Sequence, residues 1–129
     1  MASELKVDKF TGVTTAGSIL VTGEGNSTTT NLQQGLCKAW CDFNGTGTVA
    51  IDDSFNVGSV TDNATGRYTV NYTNNFASDN YCALGTANNF TFFINNAPTS
   101  STFNHGTRNS NNTDVDSSTV CTAAKGDLA

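Results

Sequence analysis

The chain has 129 residues, a formal net charge of −5 and 36% apolar residues, enough for one domain with a modest core. Six Lys and Arg against eleven Asp and Glu argue against binding nucleic acid or an anionic membrane surface, because both need clustered basic side chains. One proline, abundant Thr, Asn, Ser and Gly, and no sustained 3.6-residue period point to an all-β fold. The low apolar content implies that part of the burial is supplied by another chain.

At the amino terminus, Glu4, Lys6, Asp8 and Lys9 break up any apolar run. No secretory leader is expected, and synthesis is placed in a reducing cytoplasm. The longest apolar run here is Ile19 to Val21, and no segment approaches the length of a membrane span. Leu5 and Val7 alternate with Lys6 and Asp8. Residues 1–22 therefore read as an arm that gains order against a neighbour, with Leu5, Val7, Phe10, Ile19 and Val21 as its docking side chains. The polar stretch Gly23 to Asn31 reads as a linker. The division expected is an arm and linker over 1–31 and a head over 32–129.

In the head, Leu36 to Phe43 sets Cys37, Ala39, Cys41 and Phe43 on one face and Leu36, Lys38, Trp40 and Asp42 on the other. Trp40 then faces a subunit interface or the arm. Val49 to Ile51 and Phe55 to Val60 read as short strands separated by an Asp52 to Ser54 loop. Tyr68, Val70 and Tyr72 alternate with Thr69, Asn71 and Thr73, the pattern of a strand with one buried face. After Phe76 and the turn formers Ser78, Asp79 and Asn80, Tyr81 to Leu84 is expected to run back along that strand. The aromatic run Phe90 to Ile94 reads as a central strand or an interface, with Phe90, Phe92 and Phe93 as contact residues beside Trp40. Thr102 to Arg108 places Phe103, His105 and Thr107 on one side, 109–118 is a polar loop, and Thr119 to Ala124 is the last strand before a frayed tail. Seven or eight strands at this spacing predict an antiparallel β-sandwich, whose edge strands a symmetric oligomer would cover.

The candidates for chemistry are sparse. His105 is the only histidine, and no GxSxG elbow or reactive-cysteine signature accompanies it. A strand face is its expected place, or a threefold axis where three copies could hold an ion. Cys37 and Cys41 lie too far apart on a strand to bridge, no CxxC pair exists to seed a metal site, and the four cysteines read as small buried hydrophobes. Asp52 and Asp53 point to opposite faces. Asp114 and Asp116 lack the glycine and glutamate of a calcium loop. Six N-x-[ST] matches, at Asn26, Asn44, Asn63, Asn71, Asn89 and Asn111, are what this composition produces by chance. Neither catalytic residues, metal ligands nor a cofactor are expected. Trp40, Tyr72, Tyr81 and Phe90 could stack on sugars but are first of all packing residues. Ligand contacts, if present, fall on the loops, with Asn74, Asn75, Asp79, Asn80, Asn111 and Asp114 as the residues to watch.

The run from Leu36 to Thr86, LCKAWCDFNGTGTVAIDDSFNVGSVTDNATGRYTVNYTNNFASDNYCALGT, resembles a C-terminal module of marine bacteriophage tail-fibre-like virion proteins. The start, SELKVDKFTG, resembles the amino-terminal segment of the same kind of protein. The stretch from Tyr68 to Leu84 is similar in shape to the core hairpin of H-type lectins, trimeric β-sandwiches that bind sugars. These resemblances imply a virion location, a homotrimer, capsid or tail proteins as partners, and a head that meets a host-surface glycan. The alternative they leave open is a capsid decoration or head-fibre protein that reinforces the shell without binding a receptor. No enzyme, nucleic-acid partner or membrane insertion is implied.

Overall fold

A computed structural model describes residues 4–13, 19–23, 25 and 27–129. Asn26 lies outside them. The chain divides into two compact units, Met1–Gly35 and Leu36–Ala129.

In the first unit, β1 (Leu20–Thr22) pairs antiparallel with β2 (Thr29–Asn31), in the register Leu20 with Asn31 and Thr22 with Thr29. The stretch read as a linker thus contains a strand, because the β-branched Thr28, Thr29 and Thr30 can answer Leu20 and Val21 across a glycine-bearing turn. A single helical turn, α1 (Leu32–Gly35), follows. Asn31 caps it, its Oδ1 accepting from the amide of Gln33 at 2.8 Å. Leu5, Val7, Phe10 and Val21 are exposed, and Ile19 is half-buried.

The second unit is an all-β sandwich of two four-stranded antiparallel sheets. Its strands are β3 (Ala39–Asn44), β4 (Ala50–Phe55), β5 (Val57–Ala64), β6 (Arg67–Tyr72), β7 (Cys82–Ala87), β8 (Thr91–Ile94), β9 (Thr102–Arg108) and β10 (Val120–Lys125). One sheet runs β4-β3-β10-β7 and the other β5-β6-β9-β8. The chain lays hairpins β3–β4, β5–β6 and β8–β9 and changes sheet between them. Residues 52–54 belong to β4 rather than to a loop: β4 is an edge strand, where outward carboxylates are tolerated. The turn sits instead at Asn56, with φ of 58°. Its amide group donates to the carbonyls of Lys38 and Asn74, both at 3.0 Å, and its Oδ1 accepts from the Asn74 amide at 2.7 Å.

Tyr68 and Val70 face the core, as their alternation requires, and Tyr72 is half-buried. The partners of β6 are β5 and β9, however, and residues 82–87 pair with β10 in the opposite sheet. The connection 73–81 crosses between sheets because Phe76 is buried and stacks on Tyr81, with ring centroids 4.2 Å apart, a contact a tight hairpin could not make. The tail is tied down rather than frayed: Ala77 donates to the Asp127 carbonyl at 2.8 Å and Ala129 to that of Asn75 at 2.9 Å.

The larger core cluster joins Cys41, Phe43 and Val120 of one sheet to Tyr68 of the other. His105 is completely buried among Phe43, Tyr68, Phe92 and Phe103, stacked on Phe92 at 4.8 Å. Copies of it therefore cannot cluster on a symmetry axis. Phe92 also turns inward rather than to an interface, filling the space over Gly85 of the facing sheet. Cys41 alone of the four cysteines is buried. Cys37, Cys82 and Cys121 are exposed free thiols, because alternation turns 82 and 121 outward and 37 precedes the strand.

Neither ring nitrogen of His105 has a hydrogen-bond partner among the described residues. Burial lowers its pKa from 6.5 to about 4, because the charged imidazolium would sit in an apolar core. The unfolded chain takes up this proton first, so the stability linked to neutral His105 is full above pH 6.5 and lost as pH falls toward 4, about 3 kcal/mol in all. His105 is the only histidine, so the window between pH 7.5 and 5 reports on it, with about 2 kcal/mol gone by pH 5. Urea denaturation should show this loss in the wild type and little of it in His105→Leu, whose stability at pH 7.5 should be equal or higher.

Candidate functional site

The strand register builds a cleft at one end of the β5-β6-β9-β8 sheet. Arg67 of β6 and Phe93 of β8 both lie opposite Gly106 of β9, and Thr91 lies opposite Arg108. Gly106 leaves the middle of that row open, and the Phe93 ring occupies it: a Cβ there would fall 2.5 Å from the ring's Cζ. Both guanidinium groups lie on that ring, Arg108 at 4.1 Å and Arg67 at 4.8 Å from its centroid. These are the only two arginines in the chain.

Asp114 joins them. Its Oδ2 accepts from Arg67 Nε at 2.6 Å and its Oδ1 from Arg108 Nε at 2.7 Å. Hydrogen bonds from Arg108 and then Arg67 hold its carboxyl below the usual carboxylate range. Arg67 also donates to Asn95, and Arg108 Nη1 donates to Asn112 Oδ1 at 3.2 Å. The intervening loop is closed on itself by Asn109, whose Oδ1 accepts from the amides of Asn111 and Thr113, each at 3.0 Å. Asn112 takes a left-handed φ of 60°, which asparagine tolerates. The cleft, of about 230 Å³, is lined by Thr91, Phe93, Arg108, Asn109, Ser110 and Asn112.

Deeper in the same loop, Asp116 Oδ1 accepts from the Tyr68 hydroxyl at 2.9 Å and from the Gly66 amide at 2.6 Å. Burial first, and then this carboxylate, push the Tyr68 phenol well above its ordinary value. Gly66 has φ of 64° and lies against residue 115, where a Cβ would come within 2.6 Å of the Val115 nitrogen. The loop is thus anchored to the core from below. Asp114 and Asp116 are occupied by protein groups, and no group of metal-ligating side chains occurs among the described residues.

The residues expected to touch a ligand fall at two ends of the head. Asn111 and Asp114 lie on the loop beside the arginine cleft but do not line it: Asp114 holds its arginines and the Asn111 amide donates to Asn109. Asn74, Asn75, Asp79 and Asn80 lie beyond the other end of β6. All four are exposed; Asn74 is held by Asn56 and the Asn75 carbonyl accepts from the Ala129 amide. Tyr72 and Tyr81 pack on Phe76, and Phe90 is half-buried beside Ala87. Phe93 lines the cleft, its ring over Gly106. Arg67 and Arg108 were not foreseen. Their signal was present, as the chain's only arginines at the ends of two strands that flank Asp114.

The outer face of the other sheet carries a second feature. Phe55 pairs with Trp40, Trp40 with Ala123, and Ala123 with Leu84. This register sets an apolar row across four strands, with Phe55 53%, Trp40 36% and Leu84 51% exposed.

Compared with protein-family models, curated proteins and solved structures, the chain has no significant match in any of the three. Asp114→Asn should release both arginines and speed amide exchange at Asn111 to Val115, leaving β3 and β10 protected. In the wild type the clamp should persist below the ordinary carboxylate range and open only as pH falls through the depressed Asp114 value, because the folded state binds that proton less readily.

Proposed function

We propose that this chain is a non-enzymatic structural protein of a bacteriophage virion. In this reading it is a homotrimer, anchored to the particle through its first 31 residues, whose β-sandwich heads touch the host surface. The observation that carries the oligomeric part is the apolar row of Phe55, Trp40, Ala123 and Leu84. Exposed apolar side chains gathered into one patch mark an interaction surface, whereas scattered ones do not. The opposite outer face is different. There Asn71 Nδ2 donates to Ser59 Oγ at 3.2 Å and Thr61 Oγ1 at 3.0 Å, and Thr69 donates to Asn104 at 2.6 Å, a polar ladder suited to water. One face asks for a partner and the other does not.

The virion part is supported by the resemblance of residues 36–86 and of the start of the chain to tail-fibre-like proteins. Exposed Leu5, Val7, Phe10 and Val21 fit an anchoring role for the first unit. A capsid decoration protein is the second reading, favoured because the two units adjoin in sequence with no shaft segment between them.

Trp40→Glu combined with Leu84→Glu should weaken self-association by roughly a hundredfold or more, since buried aromatic anchors dominate such interfaces. Light scattering should then report a single folded subunit, and an unchanged oligomer would refute the interface. Removing residues 1–30 should leave a soluble oligomer that no longer joins particles. Full occupancy of virions by the truncated protein would overturn the anchoring role, and failure of that oligomer to bind host cells would favour decoration over attachment.

A further inference from the structure

We propose that the cleft of Thr91, Phe93, Arg108, Asn109, Ser110 and Asn112 binds a small, hydroxyl-rich carboxylate about one sugar ring in size, that is, an acidic monosaccharide residue. Charge is the first argument. Two guanidinium groups share Asp114, so the ion-paired cluster itself carries one net positive charge, while the Asp116 carboxylate is turned away to Tyr68 and Gly66 beneath it. Orientation is the second. Asp114 takes Arg108 Nε and Asn112 takes Nη1, so the planar fork is fixed while Nη2 has no partner among the described residues. A fixed fork with free N–H groups suits a planar carboxylate. A monoanion restores neutrality, whereas a phosphate dianion would add a second negative charge close to Asp114.

The rest of the lining sets the remainder of the ligand. The hydroxyls of Thr91 and Ser110 and the side-chain amide nitrogens of Asn109 and Asn112 have no hydrogen-bond partner among the described residues, and these residues line the cleft together with Phe93. Such a set matches several hydroxyls rather than an apolar body. A volume near 230 Å³ falls below the roughly 300–1,000 Å³ of sites for drug-sized ligands, so it admits one ring. The loop is held closed by Asn109 and Asp114, which lowers the ordering cost of binding. This inference deepens the attachment reading and rests on it only for the biological source of the ligand. The cleft lies within one copy of the head, so its test is separate from that of the oligomer.

The full-length protein, labelled with ¹⁵N, should be titrated with glucuronate, glucose and inorganic phosphate while amide resonances are followed. Glucuronate should shift Thr91, Phe93 and residues 108–113 saturably, with glucose and phosphate each weaker by about tenfold or more. Arg108→Lys keeps the charge but loses the fork and should weaken glucuronate by about tenfold. Ser110→Trp should fill the cleft and abolish binding without touching the ion pairs, which keeps the test valid if the arginine variant unfolds. The proposal fails if glucuronate gives no saturable shift, if glucose or phosphate binds as tightly, or if Ser110→Trp binds undiminished.

Discussion

The head depends on the aromatic cluster around His105, where the two sheets meet. Phe43 from one sheet meets Tyr68, at 5.2 Å and 73°, and His105 of the other. Phe92 reaches back over Gly85. Cys41 and Val120 complete the cluster, and its aromatic pairs contribute through edge and stacked geometry as well as area. The imidazole at its centre is a costly choice, since a buried polar group without a partner destabilises the fold. It persists because the ring has the right shape and stays neutral.

From that core the polar architecture follows outward. Tyr68 carries the only hydroxyl among the rings around His105, and it ties Asp116 and so the root of the 109–118 loop. Asp116 positions Gly66, which begins the strand bearing Arg67. Arg67 and Arg108, on two strands, thereby meet Asp114 on a loop whose base is held to the core. The cleft owes its shape to this chain of contacts as much as to the residues that line it.

Much of the fold was legible in the chain. Alternation at 39–43, 68–72 and 103–107 located three strands and their buried faces correctly, because alternation states which side chains must leave water. Pairing was less legible. Local order pairs Tyr81 to Leu84 with the strand nearest in sequence, whereas Phe76 packs on Tyr81 and residues 82–87 join the other sheet. Asp52 and Asp53 disguised a strand because carboxylates are disfavoured in strands, a penalty that an edge position relaxes. The site was the least legible. The 109–118 loop reads from its polar run, but the arginines come from separate strands brought together by register, and nothing local in the chain connects 67 to 114.

The pinned carboxyl terminus bears on how this head can be handled. Leu128 bridges to Phe76, at the end of β6 away from Arg67. That strand's six residues span about 20 Å. A tether attached at Ala129 would leave the head on the side remote from the arginine cleft, so a head immobilised there would turn the cleft away from the support.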